Sequence, residues 1–478
     1  LFEACNIIRG PVSQDNFKDY ITPLLYYKRI SDVYDEETEE ALISSGGDKE
    51  YASLPEQHRF VIPDGCHWQE VRERTENLGA AIVGAMRQIE IANPDTLYGV
   101  LSMFSSQKWT NKAILNDSKI RDLIEHLSKR KLGNKDYPAD LMGDAYEILL
   151  KKFADDSKAQ AGEFYTPRSV VRLLVHILDP QPGETVYDPA CGSGGMLIEA
   201  IRYMHDDSLC CGSIFGQEKN VVNAAIAKMN LFLHGASDFN VMQGDTLRDP
   251  KILQGGNIAK FDCVIANPPF SLENWGATEW SSDKYKRNIY GTPSDSCGDY
   301  AWIQHMICSM SSGKGRMAVV MPQGILFRGN QEAEIRKQLV ESDLIEAVVT
   351  LGDKLFYGTG LSPCFLIIRR MKQAHHSGRI LMIDGSKILT QKRAQNILEE
   401  NDIDRLYSLY QNYSDEEDYS RIVTLQEIRD KEYNLSPNRY VVYHKEEIRP
   451  YAEVLAEFKQ AYADVKRLEN EFSLLINA

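Results

Sequence analysis

The sequence lacks any segment that would place the chain in a membrane. It contains no run of about 18 apolar residues, the length that a spanning helix needs. The N-terminus has no basic stretch followed by an apolar core, so we expect no signal peptide and predict a cytoplasmic protein. Of the 478 residues, 43% are hydrophobic and 26% are charged, as is typical of globular domains.

Metal-binding and disulfide motifs are also missing. The nine cysteines include no C-x-x-C pair and are odd in number, which favours reduced thiols over a disulfide framework or a zinc site. The ten histidines show no H-x-x-x-H or H-E-x-x-H spacing, so we expect no catalytic metal.

Basic residues are too few for a protein that coats DNA by itself. Lys and Arg number 54 against 69 Asp and Glu, which gives a net charge of −15. A protein that binds DNA alone would carry a basic surface. A local basic channel, or basic partner subunits, would still allow nucleic-acid binding.

Three segments with different hydrophobic patterns follow one another along the chain. Residues 1–158 are predicted to form a helical domain, with Pro138 opening its last helix. Residues 159–445 alternate β-rich and helical runs, with the last predicted strand at 380–383. This alternation is typical of a doubly wound, mostly parallel α/β sheet of the Rossmann-like kind. Residues 446–478 form a charged helix with a heptad-like apolar stripe, which would either fold back on its own domain or face a partner.

A glycine-rich turn follows the first predicted strand of the sheet and precedes a helix. It reads Asp188-Pro189-Ala190-Cys191-Gly192-Ser193-Gly194-Gly195. Small residues let the backbone approach a ligand closely, and the helix N-terminus offers free N–H groups. The third glycine of a dinucleotide fingerprint is replaced by Leu197, and no P-loop motif occurs, which disfavours phosphate-bearing nucleotides. The carboxylate of Asp188 would suit a cationic amino group. The alternative is a tight turn without a ligand.

Two further acids end the next two predicted strands. Glu218 is placed to accept both hydroxyls of a ribose, although alone it could be an N-cap or a surface acid. Asp245 could accept from an adenine amino group, and a helix N-cap explains it equally well. Together with the glycine turn, Glu218 indicates a ligand that carries a nucleoside but no phosphates.

The most specific motif is Asn267-Pro268-Pro269-Phe270, which follows the apolar strand 261–266. The prolines extend the backbone and leave carbonyl groups without competing N–H donors. The side-chain oxygen of Asn267 and the carbonyl of Pro268 could then hold one planar amino group. Phe270 offers a flat face to a base.

A fourth segment precedes the glycine turn and reads Glu163-Phe164-Tyr165-Thr166-Pro167-Arg168. Thr166 is a natural N-cap and Pro167 a natural first helical residue. Either the segment is only that cap, or it folds over the methionine end of a cofactor.

Together these motifs resemble those of amino-methyltransferases that use S-adenosylmethionine. The whole chain resembles the modification subunit of type I restriction–modification systems, because residues 163–168, 188–195 and 267–270 match that family's motifs. Residues 26–32 and 433–440 resemble its N-terminal domain and its late motif. The resemblance implies methyl transfer from S-adenosylmethionine to N6 of an adenine flipped out of DNA.

The resemblance also assigns roles and partners. Asn267 and Pro268 would hold the amino group, Phe270 would stack on the base, and Phe356 matches a second stacking aromatic, with Tyr357 as its competitor. Either aromatic could simply be core. A separate specificity subunit would read the DNA between two modification subunits, and a nuclease subunit is a further candidate partner.

Alternatives remain open at this point. N-P-P-[FY] methyltransferases also modify glutamine in proteins and exocyclic amines in RNA, and an inactive scaffold with the same fold is a third possibility. The large N-terminal domain and the long tail favour the restriction–modification interpretation. A polar loop with Lys284, Lys286 and Arg287 could contact phosphates or could be an exposed loop without a ligand.

Overall fold

The computed structural model describes most of the chain. The described residues are 2–13, 17–97, 99–101, 109–137, 166–204, 212–236, 238–356, 362–392, 395–444 and 451–476. The predicted helix that opens at Pro138 and both predicted domain boundaries lie outside these ranges. The division into 1–158, 159–445 and 446–478 therefore stays a prediction.

The N-terminal part is helical, as its apolar spacing predicts. Its α-helices, within the described residues, are Phe2–Ile8 (α1), Lys18–Ser44 (α2), Lys49–Ala52 (α3), Trp68–Arg72 (α4), Leu78–Ala92 (α5), Pro94–Leu97 (α6) and Asp117–Ser128 (α7), with a 3₁₀ turn at Pro55–Gln57. They enclose one hydrophobic core, in which the rings of Tyr20 and Trp109 lie 5.3 Å apart.

The second part is built on a nine-stranded sheet and a small separate hairpin. The strands are Val186–Asp188 (β1), Ile214–Glu218 (β2), Phe239–Gln243 (β3), Leu253–Gln254 (β4), Asn257–Ile258 (β5), Cys263–Ala266 (β6), Arg316–Pro322 (β7), Ile345–Leu351 (β8), Pro363–Arg369 (β9), Arg379–Gly385 (β10) and Ser420–Thr424 (β11). The order across the sheet is β11-β10-β8-β9-β7-β6-β1-β2-β3, and β4 pairs with β5 alone. All neighbours run parallel except those of β9 and β11.

Helices cover both faces of this sheet. The remaining α-helices of the described residues are Arg168–Leu178 (α8), Gly195–Met204 (α9), Val221–Leu233 (α10), Ala277–Trp280 (α11), Asp299–Ser309 (α12), Asn330–Glu341 (α13), Glu400–Asn412 (α14), Leu425–Asp430 (α15) and Tyr451–Ile476 (α16), with 3₁₀ turns at Gln323–Leu326, Ala374–His376 and Pro437–Arg439. One face buries α8, α9 and α14, and the other buries α12 and α13. Because both faces are covered, β7 and β8 are buried along their whole length. The predicted doubly wound fold is confirmed.

The helical domain and the sheet meet at α10. Met229, Phe232 and Leu233 of this helix belong to the N-terminal core, and the rings of Tyr26 and Phe232 lie 5.2 Å apart. On the side facing the sheet, Asn230 Nδ2 donates to the carbonyl of Ser193 at 2.8 Å. The N-terminal domain is thus packed against the helix that supports the glycine turn.

Several elements differ from the sequence-based expectation. The sequence pattern after residue 383 predicts no further strand, yet β11 pairs antiparallel with β10 as the last strand of the sheet. Its side chains are buried, half-buried or exposed without strict alternation, so the local signal was weak. Helix α8 begins at Arg168 with Pro167 in the N-cap position, so the expectation of a Thr166 cap was wrong.

Helix α16 has almost all its described side chains exposed. Phe458 and Phe472 are 65% and 64% exposed, which is unusual for aromatic side chains. Among the helices in the described ranges, none combines the length and the apolar character that crossing a bilayer requires.

Candidate active site

The predicted motifs converge at the carboxyl edge of the parallel strands. Asp188 ends β1, Glu218 ends β2, Asp245 follows β3 and Asn267 follows β6. Ligands of doubly wound sheets bind at this edge. One pocket there, about 650 Å³ when the space at its mouth is counted, is lined by Thr166, Arg168, Val171, Asp188, Ala190, Cys191, Gly192, Ser193, Gly195, Met196, Ile198, Glu199, Arg202 and Asn267. The glycine turn, the Thr-Pro segment and the first residue of the Asn-Pro-Pro-Phe turn therefore share a single cavity.

The glycine turn has a backbone that needs its glycines. Gly192 and Gly194 have φ angles of +54° and +86°, in the region that side chains disfavour. A Cβ on Gly194 would also lie 3.4 Å from the Cβ of Ala227 in α10. The N–H of Gly192 donates to Glu218 Oε2 at 2.9 Å, which ties the end of β2 to the turn.

Asp188 is a buried carboxyl group beside this turn. It is 2% exposed, and its Oδ1 accepts from the N–H of Ala190 at 2.9 Å. Burial raises the pKa of Asp188 to about 8, against the opposing effect of the Ala190 hydrogen bond and with a further contribution from the nearby Glu218 carboxylate. No cation of the described residues is paired with it. A cationic group arriving in the pocket would stabilise the charged carboxylate.

Asn267 presents a free acceptor to the same pocket. Its Nδ2 donates to Thr166 Oγ1 at 2.8 Å, which orients the side-chain amide. Its Oδ1 is buried and has no hydrogen-bond partner among the described residues. An unsatisfied buried acceptor costs free energy unless a ligand completes it. Thr166 thus contacts Asn267 instead of capping α8.

The other predicted site residues fall into three groups. Pro268 is buried, Pro269 is exposed, and Phe270 is half-buried, so part of its ring remains accessible. Phe356 is 3% exposed within the core on one face of the sheet, which favours the core alternative over a stacking face. The predicted site residues that lie outside the described ranges are Glu163, Phe164 and Tyr165, together with the competitor Tyr357.

Asp245 lies at the carboxyl edge but does not line the pocket. Its Oδ1 accepts from the N–H of Arg248 at 3.2 Å, and its Oδ2 is 2.9 Å from Lys219 Nζ. The first contact belongs to a turn over residues 246–248, and no helix follows Asp245, so the helix N-cap alternative was wrong. The expected contact with an adenine stays a prediction.

The expectation that Arg287 could contact phosphates was wrong. Arg287 is 1% exposed, ion-paired with Asp283 at 2.8 Å, and donates to the carbonyls of Thr246 and Leu247. Its guanidinium also lies over the ring of Trp280 at 4.5 Å. The side chain therefore braces the loop after β3. Its neighbours in the predicted basic cluster, Lys284 and Lys286, are exposed.

A tryptophan cluster beside the pocket was missed by sequence reasoning. Trp275, Trp280 and Trp302 pack with Leu247 and Ala301 and contact Ala190 of the glycine turn. Three of the five tryptophans of the chain lie between residues 275 and 302, and this clustering was an available signal.

The glycine turn and the amide acceptor of Asn267 share one pocket at the carboxyl edge of a doubly wound sheet. This combination is typical of the class of amino-methyltransferases that use S-adenosylmethionine. The N-6 DNA methylase family model matches residues 137–448, and the HsdM N-terminal domain model matches residues 1–127. The chain therefore belongs to the N-6 DNA methylase family.

Individual relatives agree with this assignment. The methylase subunit of type I restriction enzyme MjaVII from Methanocaldococcus jannaschii is 35% identical over 471 residues, covering 94% of this chain and 78% of the relative. The HindI methylase subunit from Haemophilus influenzae is 31% identical and covers 79% and 84%. The crystal structure of a type I restriction–modification methyltransferase subunit from Streptococcus thermophilus superposes with a TM-score of 0.77 at 26% identity, covering 93% of this chain and 98% of that one. This protein is a DNA adenine methyltransferase of the modification-subunit type, which confirms the resemblance found in the sequence.

Proposed function

We propose that the pocket at the carboxyl edge holds S-adenosylmethionine next to an adenine flipped out of duplex DNA. The observation that carries the proposal is that Asn267, with its free Oδ1, lines the same cavity as the glycine turn. The proposed cofactor-binding residues are Glu163, Phe164, Tyr165, Thr166, Pro167, Arg168, Asp188, Ala190, Gly192, Ser193, Gly194, Gly195, Glu218 and Asp245.

The residues of the pocket fit this cofactor. The positive φ angles of Gly192 and Gly194 favour glycine in the turn, and Gly192 and Gly195 line the cavity with backbone alone. Asp188 is a buried carboxyl group with no paired cation among the described residues, and the methionine part of the cofactor carries a cationic amino group. When bound, the cofactor supplies an electrophilic methyl group on a positively charged sulfur.

On the substrate side, the chain holds the amino group and the base. Asn267 Oδ1 and the Pro268 carbonyl accept hydrogen bonds from the adenine amino group, which orients its nitrogen lone pair toward the cofactor. Thr166 keeps the Asn267 amide in the required orientation. Pro269 stiffens the turn, and the accessible part of Phe270 stacks on the base. Positioning is thus the main contribution of these residues to the rate.

A labelling experiment tests this function. The chain is combined with its specificity subunit and tritium-labelled S-adenosylmethionine, and genomic DNA from a methylation-deficient host serves as substrate. We expect label in N6-methyladenine after enzymatic hydrolysis of the DNA. Label found instead in protein glutamine or in RNA would support the alternative substrates, and no transfer to any of them would support an inactive scaffold.

We further propose that α16 faces the specificity subunit. An apolar stripe on this helix includes Phe458 and Tyr462, which are 65% and 55% exposed, and apolar stripes of this kind pack against partner helices. Two modification subunits would flank one specificity subunit on the DNA, in the cytoplasm, and a nuclease subunit is a further candidate partner. The net charge of −15 supports leaving sequence recognition to another subunit.

The partner proposal has its own test. Changing Phe458 and Tyr462 to Glu should prevent co-purification with the specificity subunit while cofactor binding stays unchanged. A matched variant, Ala456→Glu with Gln460→Glu, adds the same charge on the opposite, exposed face of the helix and should still assemble. Normal assembly of the aromatic variant would contradict this role of α16.

A further inference from the structure

The exit of the Asn-Pro-Pro-Phe turn is held by a buried acid. Ser271, the residue after Phe270, has a φ angle of +49°, in the left-handed region that non-glycine residues disfavour. Its N–H donates to Asp299 Oδ1 at 2.7 Å. Asp299 is the first residue of α12 and is 0% exposed. A hydrogen bond to an ionised acceptor is among the stronger ones, so it can offset the unfavourable backbone conformation.

The acid is itself held from a third segment. Asp299 Oδ2 is ion-paired with Arg328, which follows β7, and Arg328 Nε lies 2.8 Å from Glu332 Oε2 of α13. The segments after β6 and β7 are therefore joined through one carboxylate. A nearby backbone hydrogen bond, from the N–H of Gly298 to the carbonyl of Leu272, closes the same junction at 3.0 Å.

We propose that Asp299, held by Arg328, is a positioning residue that fixes the Asn-Pro-Pro-Phe turn for methyl transfer. The inference rests on the proposed role of this turn. The prolines restrict the interior of the turn, but its exit at Ser271 has no such restriction. Without the hydrogen bond from the Ser271 N–H to Asp299, the Pro268 carbonyl and the Phe270 ring can move relative to the cofactor. Small displacements of reacting groups lower rates strongly.

The competing explanation is that Asp299 and Arg328 only stabilise the fold. A matched pair elsewhere in the same sheet separates the two explanations. Glu184 and Arg316 are a buried acid and arginine, 2.6 Å apart, at the amino edge, and Arg316 is more buried than the partly exposed Arg328. That pair contacts neither the turn nor the pocket, so its disruption should cost stability alone.

The test measures single-turnover methyl transfer in the assembled complex, with genomic DNA from a methylation-deficient host, and S-adenosylmethionine affinity by calorimetry. For D299A we expect the rate per folded molecule to fall about tenfold or more, with affinity within about twofold of wild type. D299N retains an acceptor oxygen for Ser271 and should lose less. E184Q, which contacts neither the turn nor the pocket, should keep the wild-type rate.

The positioning role would be overturned by a wild-type rate in D299A. It would also be overturned if rate and affinity fell together in D299A and D299N. If D299A does not fold, a selective loss of rate in D299N still supports the role, and a wild-type rate in D299N overturns it. An N267A variant is measured in parallel. If N267A stays active, the proposed site itself is wrong, whereas an inactive N267A with a normal D299A removes only the role of Asp299.

Discussion

Two buried acids, one at each edge of the central sheet, differ in whether a cation is paired with them. At the amino edge, Glu184 is paired with Arg316, which also donates to the carbonyl of Leu178. Burial alone would raise the pKa of Glu184, but the hydrogen bond from Arg316 and the other donors lower it to about 2. At the carboxyl edge, no cation in the described part of the chain is paired with Asp188, and burial raises its pKa to about 8. The paired Glu184 at the amino edge supports stability, and the unpaired Asp188 at the carboxyl edge is available to a ligand.

The largest effect is expected from breaking the ion pair between Glu184 and Arg316 at the amino edge. Glu184→Gln leaves Arg316 buried without its ionic partner, which should lower the free energy of unfolding by about 3–5 kcal/mol. Urea denaturation measures this loss. Since the folded pKa is lowered, the contribution of Glu184 is present above pH 4.5 and lost as the pH falls toward about 2. Wild type and variant should therefore converge in stability at low pH, and a constant difference down to that pH would contradict the assignment.

Asn267→Ala removes the free acceptor at the opposite edge. We expect methyl transfer to fall about 10²–10³-fold, the range seen when one preorganised hydrogen-bonding group is lost from an active site. Cofactor affinity should stay near wild type, because Oδ1 has no partner among the described residues, and stability should fall by only about 0.5–1.5 kcal/mol, because the hydrogen bond from Nδ2 to Thr166 is lost. Single-turnover transfer and calorimetry measure the two quantities. Equal loss of rate and affinity would mean that Asn267 binds the cofactor instead.

Asp188→Asn tests the unpaired acid. Loss of a charge-assisted contact should weaken S-adenosylmethionine binding about 10–100-fold. In wild type, Asp188 holds a proton up to about pH 8, so binding of a cationic group below that pH should release nearly one proton. Calorimetry in buffers of different ionisation enthalpy counts this proton. The variant should release none, and an unchanged proton count would contradict the role of Asp188.

The motifs of the site were accessible from sequence because each is short, and the glycine turn and the Asn-Pro-Pro-Phe turn each follow their own strand. The order of the strands then brings Asp188 and Asn267 into one cavity, as the carboxyl ends of neighbouring parallel strands must. The sequence also predicts the helical N-terminal domain, since apolar residues at helical spacing are a local signal.

Long-range contacts were not accessible. Arg287 belongs to a basic, polar stretch, and only the fold shows that Asp283 and two carbonyls bury it. Strand β11 was missed because its pairing with β10 joins segments about 40 residues apart, and its own pattern is irregular. Thr166 satisfies the local rule for an N-cap, yet its hydroxyl accepts a hydrogen bond from Asn267, 101 residues away. No local rule could anticipate that competition.

The smallest effect is expected from losing the Thr166 hydroxyl, which orients the Asn267 amide at the carboxyl edge. Thr166→Val preserves shape and removes the acceptor of the 2.8 Å hydrogen bond from Asn267 Nδ2. A neutral hydrogen bond contributes about 0.5–1.5 kcal/mol, so methyl transfer should slow about two- to tenfold. Thr166→Ser keeps the hydroxyl and should react as wild type does. If the valine variant lost as much rate as Asn267→Ala, Thr166 would have to contact the substrate itself. If the valine variant lost no rate, other groups would orient the amide of Asn267, and the pocket would be less preorganised around this amide than its geometry indicates.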